Sequence, residues 1–210
     1  MKELPLVLAI TGASGAPYAV RLLGALAHHR VATWLIVSRH GWRLLDEECG
    51  LADLTALRRA TEGDSGWTTV TVFEDDDRGA KPASGSQRTR GMVVCPCSMG
   101  TVAAIAHGTS RSLVERAADV TLKEGRRLVL VPRETPLSLI HLRNLTAAAE
   151  AGATVLPAAP GFYHRPRGIA DLVDFVAQRI LDQLGLEITI APRWGGTSDG
   201  GRGGGGGGDA

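Results

Sequence analysis

Cysteine, net charge and long hydrophobic runs are all scarce in this chain. The three cysteines (Cys49, Cys95 and Cys97) are odd in number, and two of them sit in the run "CPC". That argues against a disulfide framework and suits a reducing compartment, so a cytoplasmic location is expected. Zinc would need further ligands at suitable spacing, and no histidine or second cysteine pair supplies them, so no metal is expected. No apolar run reaches the roughly 18 residues that span a bilayer. The opening "MKELPLVLAITG" runs into a glycine turn rather than a small-residue cleavage site, so it reads as a first strand and not as a signal peptide. Lys and Arg total 23 against 22 Asp and Glu, a formal charge of +1, which offers no global field to nucleic acid or an anionic membrane.

What is present suits one compact domain with a substantial core: 210 residues, 44% of them hydrophobic. "LPLVLAIT" is too uniformly apolar for a one-sided sheet and reads as a buried strand. A helix is expected over 15–29, where Ala19, Leu22, Leu23 and Leu26 form a stripe. Strand 31–38, helix 40–60 and strand 67–73 follow. The 18 residues "EDDDRGAKPASGSQRTRG" then show no period, and a loop this long is usually functional or mobile. "MVVCP" is a fourth strand, followed by helices near 99–107 and 112–125. Beyond these come strand 127–132, helix 136–151, a strand in "ATVLPAA" and a last helix over 168–185. Strands alternating with helices imply a doubly wound, mainly parallel α/β sheet with helices on both faces, Rossmann-like or flavodoxin-like. The domain is expected over 1–194, with the glycine-rich 195–210 a flexible tail.

Strand, glycine turn, helix is an arrangement that can hold a phosphate. In "TGASGA", Gly12 and Gly15 let backbone amides approach an anion, and Ser14 adds a hydroxyl. A tight turn with nothing bound would use the same glycines. A dinucleotide site would want G-x-G-x-x-G and an acid ending the second strand, but this strand ends in Ser38-Arg39. Arg39 could meet a 2′-phosphate as in short-chain reductases, yet neither Tyr18 nor Tyr163 has the required lysine four residues on. "VVCPCSMGT" repeats the strand-to-helix pattern and offers Ser98, Gly100 and Thr101. First and fourth strands commonly flank the switch point of such sheets, so two helix N-termini would converge on one anion. That favours a mononucleotide such as FMN.

Cations follow. Arg116, Asp119 and Lys123 share one helical face, for which a solvated face with an internal ion pair is the plainer reading. Arg133-Glu134 come directly after the fifth strand. Arg179 lies beside an apolar stripe, where it either snorkels or reaches an anion at a subunit boundary.

Read together, "TGASGAPYAVRLL", "PASGS", "CPCSMGTVAAIAHGTS", "LVERAADVTLKEGRRLVLVPRETPLSLIHLRN", "GATVLPAAPGFYHRP", "DLVDFVAQRILDQLGL" and "PRW" closely resemble the UbiX-type flavin prenyltransferases, from about Leu6 to Trp194. The resemblance implies a transferase that binds reduced FMN and dimethylallyl phosphate, without metal. It would join the prenyl group to flavin N5 and C6 and supply prenylated FMN to a UbiD-type decarboxylase. It also implies a doubly wound subunit in a homododecamer. Carried over by position, it places FMN on Gly12, Ala13, Ser14, Ser38, Ser98, Met99, Gly100, Thr101 and Arg133. The prenyl phosphate would meet Arg116, Lys123, Arg133, Tyr163 and Arg179, some from neighbouring subunits. Ser14, Glu48 and Glu134 are the expected proton-handling groups.

Some members carry a tryptophan six residues before the "ASGS" loop, a position that is Arg78 here, which bears on cation stabilisation and donor preference. Two other readings share the first turn. A flavin-dependent cysteine-type decarboxylase would carry "PASANT" where this chain reads "PASGS", and would lack "VPRETPLSLIHL". A non-enzymatic flavin carrier would leave Arg116, Lys123, Arg179 and Glu134 without a task.

Overall fold

A computed structural model of the chain describes residues 4–191; "PRW" at 192–194 and the glycine-rich 195–210 lie outside the described residues. Six parallel strands form one sheet: β1 (Leu6–Ile10), β2 (Thr33–Val37), β3 (Val70–Glu74), β4 (Gly91–Cys97), β5 (Leu128–Pro132) and β6 (Thr154–Val155). Their spatial order is β3-β2-β1-β4-β5-β6, so the winding reverses between β1 and β4. The helices are α1 (Ala16–His28), α2 (Arg39–Cys49), α3 (Leu54–Ala60), the single turn α4 (Gly63–Gly66), α5 (Met99–Ala106), α6 (Leu113–Lys123), α7 (Leu139–Glu150) and α8 (Ile169–Leu184).

The uniformly apolar β1 is explained by burial on both faces. Successive side chains point to opposite sides of a strand, so Leu6, Leu8 and Ile10 join the core under α1 and α8. Val7 and Ala9 join the other, under α5 and α6. In α1 the expected stripe is the buried face: Ala19, Leu22, Leu23 and Leu26 are fully buried. Each such leucine contributes about 1.5–3 kcal/mol relative to exposure.

Several expected elements differ, among them the strand expected in "ATVLPAA", of which only Thr154–Val155 pair with β5. The helix expected over 40–60 is two helices, because Gly50 adopts a left-handed conformation that closes α2, and Asp53 caps α3 by accepting the amide of Ala56 at 2.8 Å. The third strand begins at Val70, because Trp67–Thr69 form a tight 3-10 turn with Trp67 buried. The period-free 74–91 stretch is anchored on its own domain. Pro82 and Ala83 are buried, and Asp75 accepts the amides of Leu113 (2.7 Å, backbone oxygen) and Val114 (3.0 Å, carboxylate) at the start of α6.

Candidate functional site

The site lies where the winding reverses, at the carboxyl ends of β1, β4 and β5. Thr11, 3% exposed, ties the first two together: its hydroxyl donates to the carbonyl of Pro96 at 2.9 Å and accepts the amide of Ser98 at 2.9 Å. Pro96 has no N–H to give the sheet, and the register of β4 on β5 shifts between Val94 and Cys97. The backbone freed by that shift is what Thr11 binds, so the turns after β1 and β4 are held side by side.

A third wall is α2. A Cβ on Gly12 would stand 2.4 Å from the Cβ of His40, so only glycine lets the first turn touch this helix. Gly12 therefore serves packing as well as any anion. Ser38 caps α2 by accepting the amide of Gly41 at 3.0 Å. The same pattern recurs at α5, where Ser98 Oγ accepts the amide of Thr101 at 3.2 Å and lies 2.9 Å from its hydroxyl. Helix α1 begins at Gly15, which has no side chain to cap it. Glu48, on the last turn of α2, does so instead: one carboxylate oxygen accepts the amides of Gly15 at 2.9 Å and Ala16 at 2.8 Å. The positive end of α1 thus already carries an anion.

Between these walls is a cleft of about 280 Å³. Gly12, Ala13 and Ser14 form one side, Ser98 and Met99 a second, and Arg133 and Glu134 a third. Arg133 is drawn across the mouth by its Nε, which donates to the carbonyl of Ser14 at 3.2 Å. One Glu134 oxygen accepts the amide of Thr135 at 3.0 Å, which fixes the carboxylate at the rim. The α2 side contributes His40, Arg43, Leu44 and Glu47. The sequence reading missed these four. Their spacing of three, one and three was the available signal, since it puts them on one helical face whose first member touches Gly12.

Of the expected FMN- and donor-binding residues, the cleft thus gathers Gly12, Ala13, Ser14, Ser98, Met99 and Arg133, with Ser38, Gly100 and Thr101 shaping the adjoining helix starts; of the expected proton-handling groups, Ser14 and Glu134 line it and Glu48 stands behind the first turn. It does not gather the other cations. Lys123 pairs with Glu124 at 2.9 Å, in the turn that leads into β5. There Arg126 binds the carbonyls of Gly85 and Gln87, and Met92 donates to the carbonyl of Arg127, so this cluster stands at the amino edge of the sheet, opposite the cleft. Arg116 pairs with Asp119 at 2.8 Å and Arg179 with Asp182 at 3.1 Å. Tyr163 packs edge-on against Phe175, ring centroids 5.6 Å apart. Arg179 and Phe175 line a separate groove beside β6.

The thiols of Cys95 and Cys97 are fully buried, and burial pushes both far above the ordinary thiol range, so neither serves as a nucleophile here. No group of His, Cys, Asp and Glu capable of holding a metal occurs among the described residues.

Comparison with known proteins places this geometry. Residues 1–181 match the family model Flavoprotein. The chain is 46% identical over 196 residues to Flavin prenyltransferase UbiX of Pseudomonas aeruginosa, covering 90% of this chain and 93% of that one. Among solved structures, AnUbiX (PadA1) in complex with FMN and dimethylallyl pyrophosphate superposes with a TM-score of 0.84 at 40% identity, covering 93% of this chain and 99% of that one. A dodecameric FMN-dependent UbiX-like decarboxylase from Escherichia coli O157:H7 superposes with a TM-score of 0.83 at 42% identity, covering 92% and 100%. The similarity in sequence and fold thus runs along nearly the whole chain, and the protein belongs to the flavoprotein family and, within it, to the UbiX-type flavin prenyltransferases.

Proposed function

We propose that the protein joins a dimethylallyl group from dimethylallyl phosphate or its diphosphate to N5 and C6 of reduced FMN. The observation that carries this reading is the convergence of Ser14, Arg133 and Glu134 on one cleft at the winding reversal. The lining suits the flavin: hydroxyls from Ser14 and Ser98 for a ribityl chain or phosphate, Ala13, Met99 and Leu44 as apolar surface for the ring, and guanidinium groups for phosphate. Reduced FMN supplies the two nucleophilic positions.

The residues' tasks follow from the bonds that change. The carbon–oxygen bond of the donor breaks and phosphate leaves with the electron pair, so positive charge must meet it. Arg133, held by Ser14 through Nε, keeps its Nη edge for a bidentate contact to that phosphate. Glu134, adjacent in the chain, donates a proton to the departing oxygen. Bonding at C6 adds a proton to the prenyl double bond and removes one from C6, an even exchange, whereas bonding at N5 releases one proton outright. Ser14 relays it and Glu48 accepts it, through the carboxylate oxygen not engaged by Gly15 and Ala16.

Arg116, Lys123, Tyr163 and Arg179 complete the donor site from neighbouring subunits of a homododecamer. Exposed apolar side chains beside the Arg133–Glu134 rim support assembly there: Leu139 is 61% and Ile140 67% exposed on the first turn of α7. Residues 1–194 act as one domain, the reaction takes place in the cytoplasm, and prenylated FMN passes to a UbiD-type decarboxylase. None of the described helices is long and apolar enough to cross a membrane.

The test is mass spectrometry of flavin released after anaerobic incubation with reduced FMN and each donor. A flavin heavier by one five-carbon unit is expected. Unmodified FMN with monophosphate, diphosphate and longer donors alike would overturn the reading in favour of a carrier.

A further inference from the structure

Each of the two guanidinium groups in the cleft wall is tethered through Nε with its Nη edge left over. Arg133 is held by the carbonyl of Ser14. Arg43 is held by Glu47, Nε to carboxylate oxygen at 2.7 Å, one turn further along α2. Neither has a partner for its Nη groups among the described residues. A guanidinium fixed in this way presents two parallel donors, the geometry that fits a phosphate.

The helix starts around the cleft differ in what they can still accept. Glu48 occupies the amides of Gly15 and Ala16, so a phosphate at α1 would meet a carboxylate. At α2, Ser38 takes the amides of Gly41 and Trp42, through its hydroxyl and its carbonyl. The amides of Arg39 and His40 in that first turn have no partner among the described residues. Arg43 follows on the same helix, and its neighbour His40 is pressed against Gly12.

We propose that Arg43 binds the 5′-phosphate of FMN, with the first turn of α2 rather than that of α1 supplying the backbone donors. This rests on the reading that the chain takes up FMN, and it assigns the two cations of one cleft to two phosphates: Arg43 to the flavin's, Arg133 to the donor's. Glu47 aims the guanidinium and makes no contact with the ligand.

Equilibrium binding of oxidised FMN and of riboflavin to the full chain, followed by quenching of flavin fluorescence, separates phosphate recognition from ring recognition. Arg43→Leu should weaken FMN about tenfold to a hundredfold, the range for a lost charge-assisted contact, and leave riboflavin within about twofold. Arg43→Lys should fall between, since a point charge replaces the fork. Glu47→Gln should not weaken FMN, because it removes only a nearby negative charge. The side chain of Arg43 is 67% exposed, so the variants should fold, with circular dichroism as the check. Parallel losses for FMN and riboflavin, no loss for either, or a loss in Glu47→Gln equal to that in Arg43→Leu would each overturn the assignment. Wild-type protein that fails to bind FMN would instead overturn the functional reading itself. Wild-type protein that yields prenylated flavin while Arg43→Leu binds FMN normally would overturn this inference alone.

Discussion

The hydroxyl of Thr11 accepts the amide of Ser98 at 2.9 Å, and so joins the end of β1 to the first turn after β4. The same hydroxyl donates to the carbonyl of Pro96, which also accepts the backbone amide of Thr11 at 3.2 Å, so one residue binds both sides of the turn after β4. Thr11→Val keeps the shape and removes both bonds from a buried position. The expected cost is about 1–3 kcal/mol of stability, because the amide of Ser98 loses its acceptor. Urea unfolding measures it. Flavin affinity should fall with it, since the two turns that wall the cleft lose their common anchor; an unchanged midpoint would mean that the sheet alone holds the turns together.

Glu48 is asked to do two things, and two substitutions separate them. As a cap it needs an oxygen facing Gly15 and Ala16; as a proton acceptor it needs to be a carboxylate. Glu48→Gln still offers a carbonyl oxygen to the amides, so thermal stability should be near wild type while prenyl transfer falls by about 10²–10⁴-fold. Glu48→Ala should lose the cap as well, at about 0.5–2 kcal/mol. Full activity in Glu48→Gln would confine the residue to capping.

Separation of Lys123 from the cleft makes a prediction about subunits. Its place at the amino edge of the sheet means that no single chain brings it to Glu134. Lys123→Ala should raise the requirement for the prenyl donor far more than that for FMN, and Glu134→Ala should keep FMN binding but lose transfer. Co-expression of the two variant chains should restore transfer at low donor concentration in the mixed assemblies, because some sites then draw both intact residues from different subunits. No recovery at low donor, with mixed assembly verified by mass, would mean that Lys123 and Glu134 do not serve one site from different subunits, and an unchanged donor requirement in Lys123→Ala would place Lys123 outside the reaction.

How far these features were legible in the sequence depends on whether they are local. The buried strands and the α1 stripe could be read because period and apolarity are properties of adjacent residues. Gly12, Ser14 and Ser98 could be read because turn chemistry is local too. The break at Gly50 was open to reading, since a glycine followed three residues later by aspartate is an ordinary helix stop and start. The spacing of Arg43 and Glu47 showed that they share a face with His40, but not that this face meets the cleft, because that depends on contacts such as His40 with Gly12, residues nearly thirty positions apart. The capping role of Glu48 was hidden for the same reason. The sequence could suggest that it was chemically useful, but not that α1 lacks a cap of its own. The fold does not bring Arg116, Lys123 and Arg179 together within one chain, where their partners are Asp119, Glu124 and Asp182.

The loop that presents Tyr163 should loosen in acid. Asp171, in the first turn of α8, accepts the backbone amide of Arg167 at 2.8 Å, and this bond, with the nearby Arg167 and His164, holds its carboxyl below the ordinary 3.8. A carboxylate depressed on folding contributes stability that is present above its unfolded value and is lost as pH falls through the lower, folded one. The window therefore lies below about pH 4. Within it the link from residue 167 to α8 should release, freeing the segment in which His164 stacks on Phe175 with ring planes 4° apart. The side chain of Asp171 is substantially solvated, so the effect should be local and not global unfolding. Amide exchange at Arg167 and Gly168, followed by NMR from pH 6 to pH 3 and corrected for intrinsic exchange rates, should show protection falling in that window. Asp171→Asn should lose the pH dependence, because an amide oxygen accepts the same bond without titrating. Persistence of the pH dependence in Asp171→Asn would overturn its assignment to Asp171.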